Sequence, residues 1–361
     1  MMLKILSGDR VGSRMLGAIL IAIVVAVFAT PFVFHGARPL NVAANVCIST
    51  VLVASFDLLL GYTGIVSFAQ TMFFGIGAYS IAIAASRFNQ SWIALFLGLG
   101  CGLLLSALLA LVIGLFSLRV RALYYAMMTL AVASAFQTLV SQMSDVTGGE
   151  DGLSFPLPAL LSPATTFFEQ PVWGVEITGR LACFYLIALA SVLCFLLLLR
   201  IVNSPFGRVL LAIRENDFRA EALGYRTVVY RSWSNVVSAL FATLSGAMLA
   251  LWLGYNGPDT SLSFDLMVGV LLMIVIGGKG TMYGAIVGAS VYILAQNYLQ
   301  ELMKHASSAA ASLPVVGTVL ATLLSADRWL LWLGVLFVLS VYYFPDGIVG
   351  SLRRHKSFTS V

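Results

Sequence analysis

Residues 203–231 read NSPFGRVLLAIRENDFRAEALGYRTVVYR, and they lie between two apolar runs, 181–200 and 232–253, that are each long enough to cross a lipid bilayer. The stretch carries Arg208, Arg214, Arg219, Arg226 and Arg231 against Glu215, Asp217 and Glu221, so it belongs in water rather than in lipid. Its arginine excess assigns that water to the cytoplasm. Two short helices are predicted within it. Pro205 suits the first turn of a helix over 205–214, and Asp217 is placed to cap a second over 218–223 that stops at Gly224. On the first, Val209, Leu210 and Ile213 form one apolar face while Arg208 and Arg214 point elsewhere, the pattern of a helix lying across a membrane or another protein.

The remainder of the chain has the composition of a membrane protein. Of 361 residues, 60% are hydrophobic and only 10% charged, which excludes a soluble domain and predicts an all-α, polytopic transmembrane bundle forming a single domain over 1–361. The net charge of +5 does not point to nucleic acid, because the basic residues fall at the ends of apolar runs. Cys47, Cys101, Cys183 and Cys194 lie in or beside apolar runs without metal-ligand spacing and read as reduced, buried residues. Lys4, Arg10 and Arg14 precede an apolar run too long for a signal peptide, which is read as a retained first helix.

About 20 apolar residues are needed per crossing, and on that basis spans are expected near 15–34, 41–60, 65–86, 91–116, 122–143, 181–200, 232–253, 265–276, 282–302 and 328–344. The eighth is too short for a plain span. Alternation across ten segments puts both termini in the cytoplasm, together with the basic turn at Arg119 and Arg121, the loop 203–231 and the tail bearing Arg353, Arg354 and Lys356. The loop 144–179 falls in the periplasm; it carries Asp145, Glu150, Asp151, Glu169 and Glu176 and no lysine or arginine.

Gly61-Tyr62-Thr63-Gly64 interrupts one long apolar stretch, and Gly277-Gly278-Lys279-Gly280-Thr281 separates the short eighth segment from the ninth. Such breaks are either plain turns or the places where a pathway is built, since irregular backbone at membrane depth survives only where protein or water satisfies it. Gly280, Gly284 and Gly288 recur every four residues and predict a close helix–helix contact. Asp57 is the one ionisable residue embedded in an apolar run; it is a functional candidate, or an acid satisfied by water or an amide near the membrane surface. With Gly61, Gly64 and Gln70 it forms the candidate translocation path, although Gln70, Thr129, Gln137 and Gln296 equally suit interhelical hydrogen bonds.

No enzyme site is evident. His35, His305 and His355 sit near span ends, and the lysine loop at 277–281 has Met273 where a phosphate loop requires glycine and Gly280 where it requires serine or threonine. With so few intramembrane acids, a proton- or sodium-coupled carrier is disfavoured and an external energy source is expected. A secondary carrier, a channel and a non-transporting scaffold remain as other classes.

Six motifs resemble those of the membrane-spanning permeases of ATP-binding-cassette importers of the branched-chain amino acid class, second-permease type. They are LLLGYTGIVSFAQTMFFGIGAYS (58–80), LRVRALYYAMMTLA (118–131), VTGGEDGLS (146–154), SPFGRVLLAIRENDFRAEALGY (204–225), VIGGKGTMYGAIVGA (275–289) and YYFPDGIVG (342–350). The resemblance implies an inner-membrane heterodimer with a second permease subunit, two cassette ATPase subunits and a periplasmic substrate-binding protein. It also implies no cofactor in this chain, with ATP and Mg bound on the ATPase subunits. Arg214, Glu215, Asn216, Glu221, Ala222 and Gly224 match the family's coupling signature, without the fuller EAA-type spacing of other importer classes. Asp57 stands where relatives carry a neutral polar residue, and Phe68-Ala69-Gln70 replaces Leu-Gly-His or Leu-Gly-Gln, which leaves urea, short amides and aromatic acids open as substrates beside amino acids.

Overall fold

The computed structural model of the chain describes residues 14–34, 36–88, 91–116, 122–163, 165–166, 177–310 and 328–354. The features expected at Lys4, Arg10, His35, Arg119, Arg121, Glu169, Glu176, His355 and Lys356 lie outside the described residues.

Ten long helical segments are present among the described residues, in the predicted order. They are α1 (Arg14–Val33), α2 (Ala37–Asp57) continuing as a π-helix (Leu58–Thr63), α3 (Gln70–Arg87), α4 (Trp92–Phe116), α5 (Ala122–Gln142), α7 (Gly179–Val202), α10 (Thr227–Leu253), α12 (Phe264–Gly277), α13 (Met282–Ala310) and α14 (Trp329–Tyr343). Short helices α6 (Ser144–Thr147), α8 (Pro205–Glu215), α9 (Asp217–Ala222), α11 (Pro258–Ser261) and α15 (Gly347–Arg354) connect or flank them. Seven segments meet the length and hydropathy needed to cross a membrane unaided, or eight if the 82° bend between α5 and α6 lies within one span. Polar residues lower the hydropathy of α3 and α13, yet α3 is nearly all buried, because neighbouring helices rather than lipid surround it.

Burial sorts the bundle into an inner group and a lipid-facing ring. The α2 span is 83% buried, whereas those of α1, α4 and α14 are 17–28% buried, and α4 and α7 turn Phe96, Leu104, Leu108, Leu189 and Leu197 outward. Helix α10 is the central element, packing against both α2 and α3. Between α3 and α10 the approach leaves no room for side chains: a methyl on Gly77 would strike the Thr243 carbonyl, and one on Gly246 the Phe74 carbonyl.

The interruption at Gly61 is not a turn between two spans. Helix α2 runs on through the π turn and stops only at Gly64, whose φ of 76° suits glycine, so residues 65–69 rather than 61–64 form the non-helical link to α3. Helix α12 has 14 residues, about 21 Å at 1.5 Å per residue, against a hydrocarbon core of about 30 Å. With α11 it makes one apolar stretch, Pro258–Gly277, long enough to cross, and its first turn is exposed at Phe264 and Asp265. Ser263 caps it by accepting from Leu266 N–H at 3.3 Å, while Leu262 packs beside Tyr79 and against Gly75 in the body of α3. The expected glycine stripe divides: Gly284 and Gly288 pack against the backbone of α12, but Gly280 precedes α13 with φ 78° and faces elsewhere.

A two-residue antiparallel pairing, β1 (Leu153–Ser154) with β2 (Tyr255–Asn256), ties the loop after α5 to the segment before α12. Gly148, Gly149 and Gly152 all have positive φ, which accounts for the glycines of VTGGEDG. On the opposite face, Leu16 and Leu20 of α1 cluster with Val349 of α15, and Gly347 abuts Gly278. The described start of α1, the loop 203–231, the turn 277–281 and α15 therefore share one face of the bundle.

Candidate functional site

The two chain breaks and the charged loop, far apart in sequence, meet at one point on that face. Asp57, the last α-helical residue before the π turn, is 2% exposed, and its Oδ1 accepts the Gly280 N–H at 2.8 Å. The Thr281 N–H also interacts with this carboxylate, and the Arg214 guanidinium acts on it electrostatically. Arg214 extends from the last turn of α8 and donates through Nη1 to the Gly61 carbonyl. Gly61 lies in the last turn before Gly64, where carbonyls have no intrahelical partner and are open to groups outside the helix. Thr63 occupies another acceptor of the same turn, donating to the Leu58 carbonyl at 2.9 Å and contacting Ser234 Oγ at 3.2 Å.

The junction is packed at backbone distance. A methyl on Gly61 would overlap Asp57 Oδ1 and the Gly280 backbone. One on Gly64 would come within 3.1 Å of Arg214 Cγ, and one on Gly280 within 3.0 Å of Arg214 Nη1. Gly61, Gly64 and Gly280 are thus required by the approach of three segments, and Arg214 is held between two of them. As the sequence pattern predicts, Leu210 and Ile213 bury beneath α8 while Arg214 is exposed; they bury against protein rather than lipid, and the Arg214 guanidinium reaches across to the Gly61 carbonyl.

The other singled-out residues have distinct positions. Gln70 is fully enclosed: its amide nitrogen donates to Ser55 Oγ at 2.7 Å and to the Ser238 carbonyl at 3.5 Å, and its Oε1 accepts from Ser238 Oγ at 3.3 Å. It joins α2, α3 and α10 close to the Asp57 junction without touching it. Asn216, not Asp217, caps α9, accepting from Arg219 N–H at 3.0 Å. Asp217 instead pairs with Arg231 at 3.0 Å, which anchors α9 to the start of α10. Glu221 accepts from Thr227 Oγ1 at 2.8 Å, Gly224 takes φ 91° to end α9, and Glu215 and Ala222 are exposed.

Two features escaped the sequence reading. On α9, Phe218 is 86% and Leu223 71% exposed, large apolar groups held in water on a charged element. Their type was visible in the sequence, but a run judged by its charges hides its few apolar members. The second is a cavity of about 640 Å³ between α2, the α11–α12 corner and α13. Its polar lining includes Asn45, Ser49, Asp259, Asp265 and Gln296, and Leu52 and Met273 lie toward its inner end. Asp57 lies five residues beyond Leu52, about 7.5 Å along the helix, so the junction sits beneath the cavity.

Comparison with known proteins adds a separate line of evidence. The family model described as branched-chain amino acid transport system, permease component, matches residues 38–340. The high-affinity branched-chain amino acid transport system permease protein of Salmonella typhimurium is 25% identical over 354 residues, 94% of this chain and 76% of that one. Its Escherichia coli counterpart is 24% identical over 347 residues, 92% of this chain and 75% of that one. A probable branched-chain amino acid transport permease protein of Methanocaldococcus jannaschii is 25% identical over 298 residues, 79% of this chain and 80% of that one.

Proposed function

The chain belongs to the branched-chain amino acid transport permease family, and from that membership we propose that it forms one half of the transmembrane pathway of an ATP-binding-cassette importer for branched-chain amino acids. It is a multi-pass inner-membrane permease subunit rather than an enzyme. In the proposed assembly a second, different permease completes the pathway, two cassette ATPases carrying ATP and Mg dock on the cytoplasmic face, and a periplasmic binding protein delivers substrate. This chain carries no cofactor. Residues 144–179 are the periplasmic loop and 203–231 the cytoplasmic coupling loop of a single permease domain.

The observation that carries this reading is the hydrogen bond from Arg214 to the Gly61 carbonyl. A loop that only covered the bundle would not need to send its cation into a broken transmembrane helix. Movement of α8 and α9 by the ATPases would displace Arg214 and so act directly on the π turn and on the glycine turn bonded to Asp57. An ATPase can shift the equilibrium between two permease conformations only by contacting them differently, and a contact of Arg214 made in one conformation and released in the other would give the coupling loop that difference. The exposed Phe218 and Leu223 offer the apolar anchor that such docking needs.

The test is Arg214→Ala in the complete complex reconstituted in vesicles. We expect the complex to assemble and hydrolyse ATP while leucine uptake falls at least tenfold, a loss of about 1.4 kcal/mol or more of coupling. Uptake within twofold of wild type would remove Arg214 from the coupling role.

A further inference from the structure

We propose that the cavity between α2, the α11–α12 corner and α13 is a transient substrate-holding site in this chain, where Asp259 and Asp265 receive the ammonium group of a zwitterionic amino acid and the apolar inner wall receives its side chain. The inference rests on the importer reading and adds to it a place in this chain where the solute pauses.

The cavity volume of about 640 Å³ lies in the range of small-molecule sites, roughly 300–1,000 Å³. Its charge is one-sided: the lining holds two carboxylates and no lysine or arginine, so a solute carrying only negative charge meets an unfavourable field there. Both carboxylates are on exposed residues near the outer rim, where an arriving cation first meets them. The buried Ile48, Leu52, Phe74 and Met273, with the half-buried Leu249, give the cavity an apolar wall for an aliphatic side chain. Asn45 and Ser49 stand one helical turn apart on α2, interleaved with Ile48 and Leu52, and supply an amide and a hydroxyl donor for the solute's carboxylate. Acid, donor and apolar wall are the three surfaces that the ammonium, carboxylate and side chain of an aliphatic amino acid require.

The site is positioned to be emptied. One of its walls is α12, whose far end passes into the glycine turn bonded to Asp57, and another is α2, which passes into the π turn held by Arg214. A change at the junction therefore moves two walls of the cavity.

The experiment has two arms. In vesicles holding the complete complex, uptake of radiolabelled leucine is measured for wild type and for Asp259→Asn with Asp265→Asn; the variant complex must purify with its ATPase subunits. We expect leucine uptake to fall at least tenfold, and uptake within twofold of wild type overturns the assignment of the carboxylates. In the second arm Ser49→Cys in the purified chain is labelled with a small thiol reagent, with parent-chain labelling subtracted. Leucine at millimolar concentration should slow labelling at least threefold, while 4-methylpentanoate, which lacks the ammonium group, should not. No protection by leucine, or equal protection by both, overturns the site even if the importer reading stands. If wild type shows no ATP-driven uptake, the importer reading fails, and protection by leucine alone still decides whether the cavity binds.

Discussion

At the scale of single residues, Asp57 carries the most information. A carboxyl group buried among helices is costly unless it is bonded, and here the Gly280 N–H holds Oδ1 while Oδ2 is buried without a hydrogen-bond partner, so the cost is offset only in part. Asn keeps an oxygen for the Gly280 N–H and removes only the charge that faces Arg214; Ala removes both. Leaving that N–H without its acceptor costs roughly 1–3 kcal/mol. Asp57→Ala is therefore expected to melt below both wild type and Asp57→Asn in detergent, and an Ala variant melting with wild type would show that the bond contributes nothing. The acid and the two glycine breaks were legible in the sequence, each as an oddity in an apolar run. Their meeting was not, because 223 positions separate Asp57 from Gly280 and no local pattern encodes that distance. The partner of Arg214 was hidden for a related reason: helical periodicity assigns a face to a Cα, whereas a long arginine side chain reaches well beyond it, here to the Gly61 carbonyl.

At the scale of elements, α9 stands out as a helix that does not hold itself together. Six residues are too few for a stable isolated helix, so its cap at Asn216, the Arg231–Asp217 pair and the Glu221–Thr227 bond fix it from outside. The result is a rigid platform presenting Phe218 and Leu223 to water. Truncating an aromatic anchor at a docked interface typically costs 2 kcal/mol or more. Phe218→Ala is therefore expected to weaken capture of the ATPase subunits at least tenfold in a pull-down titration while leaving the chain's own melting temperature nearly unchanged, because the ring makes little contact within the chain. Loss of stability without loss of capture would make Phe218 a structural residue. The two short helices, their boundaries and the stop at Gly224 were readable from proline, glycine and charge; the cap was assigned one residue late, since Asn216 and Asp217 are both good caps and only the backbone, extended at Asn216, separates them.

At the scale of the whole molecule, the arginines differ between the two faces. Around the β1–β2 pairing they are occupied: Arg38 pairs with Glu301 and lies over Tyr298, while Arg180 donates to Asn41 at 2.9 Å and lies over Trp252. On the face bearing the coupling loop Arg214 and Arg231 are bonded as well, but Arg200, Arg208, Arg219 and Arg226 are exposed and form no ion pair among the described residues. That asymmetry fits a coupling face in the cytoplasm, where free basic residues are retained. Cysteine placed at Glu150 should react with a membrane-impermeant thiol reagent in spheroplasts, and cysteine placed at Glu215 only after permeabilisation; the reverse pattern would invert the topology. The order of the helical segments was legible because each one repeats the same length rule, whereas only seven or eight of the ten are long and apolar enough to cross by themselves. The site was less so, because the cavity and the junction are products of packing between helices, and composition records only what each helix is made of.

The π turn over Leu58–Thr63 is the last turn of α2, and the chain leaves it at Gly64 with no helix beyond. A winding wider than that of the α-helix before it therefore sits at a free end, where one residue of α-helix corresponds to about 100° of rotation and 1.5 Å of rise. Rewinding such an end would turn only Gly61 and its neighbours and leave the hydrogen bonds of the helix behind it closed. Gly61 is thus the tip of a lever arm, and Arg214 is its latch.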